Sequence, residues 1–128
     1  MSSVNSSSPG NAEVCPPDVV LLCHDLMLTS TVSGMVSTAG KRFRSVSSSA
    51  QAIALLRDVV PPPKLFVDFA TPGLSLSALA SELSAEALQR SVVYGPHVHE
   101  AMLQQARDLG FGSVLSRGQF NARLSSLI

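Results

Sequence analysis

Through most of the chain, short uniformly apolar runs alternate with longer segments whose apolar residues recur at helical spacing. This is the pattern of a β/α protein built on a parallel sheet. Val19-Val20-Leu21-Leu22-Cys23 is apolar at every position, as a strand covered on both faces must be, and is predicted as a central strand. Leu26 to Ala39 carries Met, Val and Leu at helical spacing, and Gly40 stands where a left-handed residue would stop a helix. Lys41 to Val46 alternates polar and apolar residues and reads as an edge strand. Ser47-Ser48-Ser49 offers N-caps to a helix running through Asp58, with Ala50, Ile53, Ala54 and Leu56 or Arg57 as its buried stripe. Pro61-Pro62-Pro63 ends that helix.

Leu65-Phe66-Val67 is a second buried strand, closed by Asp68 and a turn around Pro72-Gly73. Ser75 would cap a helix carrying Leu76, Leu79 and Leu83, continued or broken before Arg90. Val92-Val93-Tyr94 is a third buried strand. His97 to Leu109 is a helix with Met102, Leu103, Ala106 and Leu109 inward, ended by Gly110. Ser113-Val114-Leu115 is the last strand and Gln119 to Leu127 a short final helix, so the order is five β/α units. Met1 to Pro17, dominated by Ser, Asn, Gly and Pro, buries too little apolar surface to offset the entropy of ordering it. A disordered tail over 1–17 and one domain over 18–128 are expected.

Composition narrows the function. The 128 residues make one domain of ordinary size. Charged residues are 14% of the chain, against ~25% in typical domains. Nine Lys and Arg balance nine Asp and Glu, so the basic surplus of a nucleic-acid binder is missing and direct contact with nucleic acid is not expected. With no membrane-length apolar run and no signal-peptide pattern, the chain reads as soluble and cytoplasmic. Cys15 and Cys23 form neither a disulfide framework nor a CxxC pair and are expected to be free thiols, Cys23 as a small apolar filler. Met27, Met35 and Met102 are core candidates. There is no Gly-x-Ser-x-Gly elbow, no GxGxxG, no Walker motif and no Asp-x-His-x-x-Gly, so hydrolase, nucleotide and corrinoid sites lack support.

In open parallel sheets, functional groups collect at the carboxyl ends of strands, where strand order reverses. The first strand ends in His24-Asp25, the second buried strand in Asp68, the third in Gly95-Pro96-His97-Val98-His99 and the last in Ser116-Arg117. All three histidines and two of the five aspartates fall at this edge. Asp25 would either serve the site or cap the first helix. His24, His97 and His99 would either join Asp25 and Asp68 around a transition metal or act as polar residues, the latter two opening a helix.

With these residues in place, the stretch 18–128 resembles the receiver domain of bacterial two-component response regulators. Leu65-Phe66-Val67-Asp68-Phe69-Ala70-Thr71-Pro72-Gly73 carries the phosphoacceptor signature, an aspartate at a strand end followed four residues later by Pro and then Gly. The resemblance implies a flavodoxin-like (βα)5 three-layer sandwich with a five-stranded parallel sheet of order 2-1-3-4-5. It also implies Asp68 as the phosphorylated residue and an acidic pair for Mg²⁺ that falls on His24-Asp25.

Several positions depart from the family pattern. The Ser/Thr that bonds the phosphoryl group and drives the switch falls on Gly95, and the Lys-Pro after the fifth strand falls on Arg117-Gly118. Arg does not substitute simply for Lys, and Arg117 is expected to pair with Asp68 or another acid at the site, or else to be a solvated loop residue. The aromatic switch position falls on Val114. Asp25 and Asp68 would hold Mg²⁺ weakly, while His24 in place of an acid shifts the donor set toward a transition metal.

The resemblance therefore implies a receiver with a degenerate phosphorylation site, without enzymatic activity beyond autophosphorylation. As a single domain with no output domain, it would act as an interaction module for a regulatory protein partner or histidine kinase, or as a homodimer. Its contact face would carry Leu103, Gln104, Arg107, Val114 and Phe120. The alternatives are a working receiver that uses Asp68 with Mg²⁺, and a small metal-binding or enzymatic domain that uses His24, His97 and His99.

Overall fold

A computed structural model describes residues 16–128. Cys15 and the expected tail up to residue 15 lie outside the described residues. The elements are β1 (Val19–Leu22), α1 (Leu26–Thr38), β2 (Phe43–Val46), α2 (Ser49–Leu56), β3 (Lys64–Asp68), α3 (Leu76–Glu82), α4 (Ala85–Gln89), β4 (Val92–Gly95), α5 (Glu100–Asp108), β5 (Ser113–Ser116) and α6 (Arg117–Leu127). Five parallel strands form one sheet of order β2-β1-β3-β4-β5, the flavodoxin-like topology. Among the described residues, no helix is long and apolar enough to cross a membrane.

The alternation of side chains along buried strands splits the core in two. Val20, Leu22, Leu65, Val67 and Val93 pack with Ala52, Leu56, Leu76, Leu79, Ala87, Leu103 and Ala106 of α2 to α5. Val19, Leu21, Phe66, Val92, Tyr94 and Leu115 pack with Val32 and Val36 of α1 and Phe120 and Leu124 of α6. Phe120 is at the centre of this second layer, stacked on Tyr94 with ring centroids 3.9 Å apart and edge-on to Phe66 at 5.4 Å.

Several sequence expectations shift in detail. The third unit holds two helices, because Leu83 leaves the helical conformation and Ser84 caps a new helix through Ala87 N–H. The buried side of α2 is Ala52 and Leu56, with Ala50, Ala54 and Arg57 facing solvent. Ser48 is the residue that caps α2, and this fixes the rotation of the short helix. Asp58 adopts φ +61°, two residues past the end of that helix.

The helix expected from His97 starts at Glu100, because Pro96 to His99 is a turn closed by the His99 N–H on the Pro96 carbonyl. Met102 and Met27 are outside the core, Met27 being 83% exposed; Met35 is partly buried against the α1/α6 layer. The final helix begins at Arg117, two residues early, since Ser116 and Gln119 form a capping box. Of the expected contact face, Gln104 and Arg107 are exposed and Val114 is half-buried, but Leu103 and Phe120 are buried in the core.

Candidate functional site at the carboxyl edge of the sheet

The parallel register brings the strand ends to a common rim. Asp68 pairs with Tyr94 across β3 and β4, and Gly95 with Ser116 across β4 and β5. Asp68 is 6% exposed. Its Oδ1 accepts a hydrogen bond from Ala70 N–H at 2.9 Å, and its Oδ2 is 3.6 Å from Arg117 Nη2. The early start of α6 places Arg117 in its first turn, close enough to reach across β4 to Asp68. The Asp68 carbonyl takes the Thr71 N–H, and Thr71 takes Leu74 N–H, so the Pro72-Gly73 turn folds back over the strand end. Gly73 sits at φ +76°, where a side chain would be strained.

Asp25 and His24 are engaged elsewhere. Asp25 Oδ1 accepts from the N–H groups of Met27 and Leu28 at 2.9 and 3.1 Å and caps α1. His24 Nε2 lies 3.3 Å from the Ser47 carbonyl oxygen, to which its N–H tautomer donates. His97 lines a surface cavity of about 660 Å³ beside α5, with Glu100, Arg107, Ser116 and Gln119. His99 lies against Phe69, ring centroids 5.7 Å apart. Among the described residues, no three His, Cys, Asp or Glu side chains form a group that could hold a metal ion. Neither His24, Asp25 and Asp68 nor the three histidines are assembled into one.

Beneath the rim lies a polar element the sequence reading missed. Tyr94 is fully buried in the α1/α6 layer, and its hydroxyl has no hydrogen-bond partner among the described residues. Burial pushes the phenol far above its usual range; neighbouring Cys23 and Asp68 add to this and Arg117 opposes it. Cys23, itself buried, sets its thiol 3.4 Å from Thr29 Oγ1. A tyrosine in an apolar run reads as core from sequence, and nothing in that run signals that its hydroxyl would be left without a partner among the described residues.

On the opposite face of the sheet, Phe69 follows Asp68 and turns into the α2 to α5 layer. Its N–H bonds the Tyr94 carbonyl at 3.1 Å, which extends the β3–β4 pairing by one residue. Its ring covers Gly95 so closely that a Cβ at that position would overlap Phe69 Cε2 and Cζ. A hydroxyl-bearing side chain therefore has no room at Gly95 unless Phe69 moves. Chemically, the rim offers one buried carboxylate, held by a backbone N–H and a guanidinium, beside a wall closed by an aromatic ring.

No protein-family model and no curated protein matches the chain. Solved structures do match it. The receiver domain of NtrX from Brucella abortus superposes with TM-score 0.64 at 18% identity, covering 86% of this chain and 97% of that one. A putative response regulator from Chloroflexus aurantiacus gives TM-score 0.65 at 13% identity, covering 88% and 98%. A response regulator receiver domain from Rhodospirillum rubrum gives 0.62 at 14%, covering 85% and 89%. In the longer NtrX structure from Brucella abortus, the chain spans 27% of the length. Its neighbours in structure are response-regulator receiver domains, and the chain has the receiver fold, in a form distant from them in sequence.

Proposed function

We propose that the protein is a receiver-like signalling module with a degenerate phosphorylation site, acting by contact with a regulatory protein partner and not by a phosphoryl-driven switch. The observation that carries this reading is the Phe69 ring over Gly95. A receiver that responds to phosphorylation needs a group at the end of its fourth strand free to move toward the charged oxygens. Here that position has no side chain, and the space beside it is filled. Asp68 and Arg117 would be retained as an ion pair at the rim, with Arg117 positioning the Asp68 carboxylate.

The donor set fits Mg²⁺ poorly. A hard cation of this kind wants several oxygen ligands in octahedral geometry. Asp25 has committed Oδ1 to capping, Asp68 has committed one oxygen to a backbone N–H, and Arg117 brings a positive charge beside the other. Arg107 and Gln104, exposed on α5 beside the cavity that His97 lines, are the side chains of the expected contact face open to a partner.

A working phospho-acceptor is the second reading, favoured by the place of Asp68 at the end of β3 and by the long 3.6 Å approach of Arg117, which leaves Oδ2 open to displacement. Incubation with acetyl phosphate and Mg²⁺ followed by intact-mass measurement tests the two. The proposed function expects the mass to be unchanged. Addition of one phosphoryl group, lost in Asp68→Asn, establishes the second reading instead.

A further inference from the structure

At the amino edge of the sheet, opposite the Asp68 rim, four of the nine basic residues share one cavity of about 370 Å³. They are Lys41, Arg42, Lys64 and Arg90. Among the described residues, none of the four is within ion-pair distance of an Asp or Glu side chain, since the ion pairs formed are Arg57–Glu82 and Arg117–Asp68. The one acidic side chain lining the cavity, Asp18, spends Oδ2 on the Arg42 backbone N–H at 2.8 Å. Lys41 and Lys64 donate to backbone oxygens of Ile128 and Leu127 at 2.6 and 2.7 Å, and each ammonium keeps further N–H donors. Arg90 Nε is buried with no hydrogen-bond partner among the described residues.

The like charges crowd one another. The Lys64 ammonium is held below the usual lysine range, first by burial and then by the charges of Lys41 and Arg90. Four cations facing the single carboxylate of Asp18 leave the cavity with a surplus of positive charge that favours entry of an anion, and guanidinium forks match phosphoryl oxygens in bidentate fashion. Much of the remaining wall is Pro16-Pro17 and Pro61-Pro62-Pro63, beside Val19, Val59, Val60 and Ile128. These prolines bring no competing backbone N–H and hold the cavity's shape stiffly.

We propose that this cavity is a binding site for a small multivalent phosphoryl anion, gripped by Lys41, Arg42, Lys64 and Arg90. The site is remote from Asp68 and independent of the function proposed for the rim.

Calorimetric titration of the full chain with inorganic pyrophosphate at low ionic strength tests it, with citrate as a carboxylate control of comparable charge. One pyrophosphate is expected to bind per chain, more tightly than citrate. Affinity should fall at least tenfold in Arg90→Met and in Arg42→Ala, the latter an exposed change that leaves the α6 contacts of Lys41 and Lys64 in place. Asp68→Asn should bind pyrophosphate as the parent protein does.

Absence of saturable binding overturns the proposal. So does binding unchanged in both arginine variants, which would mean an adventitious ion only. Citrate binding as tightly as pyrophosphate would overturn the phosphoryl assignment, and loss of binding in Asp68→Asn would place the anion at the opposite rim.

Discussion

The Phe69 ring occupies the space that a side chain on Gly95 would need, and the two residues are tied by the hydrogen bond from Phe69 N–H to the carbonyl of Tyr94, the residue preceding Gly95. Glycine at this position is thus a packing requirement. Gly95→Ser should destabilise the fold by about 1–3 kcal/mol through overpacking. Phe69→Ala alone should cost about 3–5 kcal/mol by leaving a cavity. In the double variant the serine would take part of the vacated space, so the two costs should fall short of additivity by ~1 kcal/mol or more. Urea unfolding of the four proteins measures the coupling, and strict additivity would show that the two residues do not constrain each other.

Asp68 and Arg117 differ in burial, and their substitutions should differ accordingly. Arg117 is 48% exposed by its side chain and approaches to 3.6 Å, so Arg117→Ala should cost no more than about 1 kcal/mol, fading as salt is added. Asp68→Ala removes both the ion pair and the part-buried hydrogen bond from Ala70 N–H to a charged carboxylate, and should cost about 1.5–3 kcal/mol. Equal losses in the two variants would mean that the ion pair, and not the turn, is what Asp68 contributes.

Asp25 has a capping role that can be separated from metal chemistry. Asp25→Ala should lose about 1 kcal/mol, while Asp25→Asn, an equally good cap, should stay within a few tenths. Melting curves with and without Mg²⁺ complete the test. A Mg²⁺-dependent rise in melting temperature that disappears in Asp25→Asn would assign Asp25 to a metal site after all.

The Tyr94 hydroxyl is buried without a partner among the described residues, a desolvation cost of about 1–3 kcal/mol that Tyr94→Phe removes. The variant should be at least as stable as the parent near neutral pH. Because the phenol is raised above its unfolded value of about 10, the folded state keeps the proton where the unfolded chain releases it. The stability is therefore present in full below about pH 10 and falls as the pH climbs beyond it. Denaturant titrations across that range should show a shallower alkaline loss in Tyr94→Phe. A variant clearly less stable at neutral pH would indicate a partner for the hydroxyl.

What the sequence made legible was the sheet. Strands buried on both faces must be apolar throughout, and Val19 to Cys23, Leu65 to Val67 and Val92 to Tyr94 are. The pairing of Arg117 with Asp68 was also within reach, once both were assigned to strand ends. The start of α6 could have been found, since Ser116 and Gln119 have the spacing of a capping box. The overlap of Phe69 with Gly95 was not legible, because it depends on the β3–β4 register and on how the chain leaves β3, neither of which leaves a periodic trace. The resemblance alone puts Phe120 on a contact face, whereas the structure turns it inward onto Tyr94. The three histidines share an edge in sequence but take different partners, because that edge is assembled from separate loops.

On the proposed function, the Phe69 ring holds the end of β4 in place whatever happens at Asp68. Amide ¹⁵N–¹H spectra of the protein recorded with and without acetyl phosphate and Mg²⁺ test it most directly, read at Gly95, His97, Val98 and His99. The account predicts that these resonances stay in place. Shifts throughout this segment that vanish in Asp68→Asn would contradict it, since they would show a phosphoryl group on Asp68 moving the loop that Phe69 is held to fix.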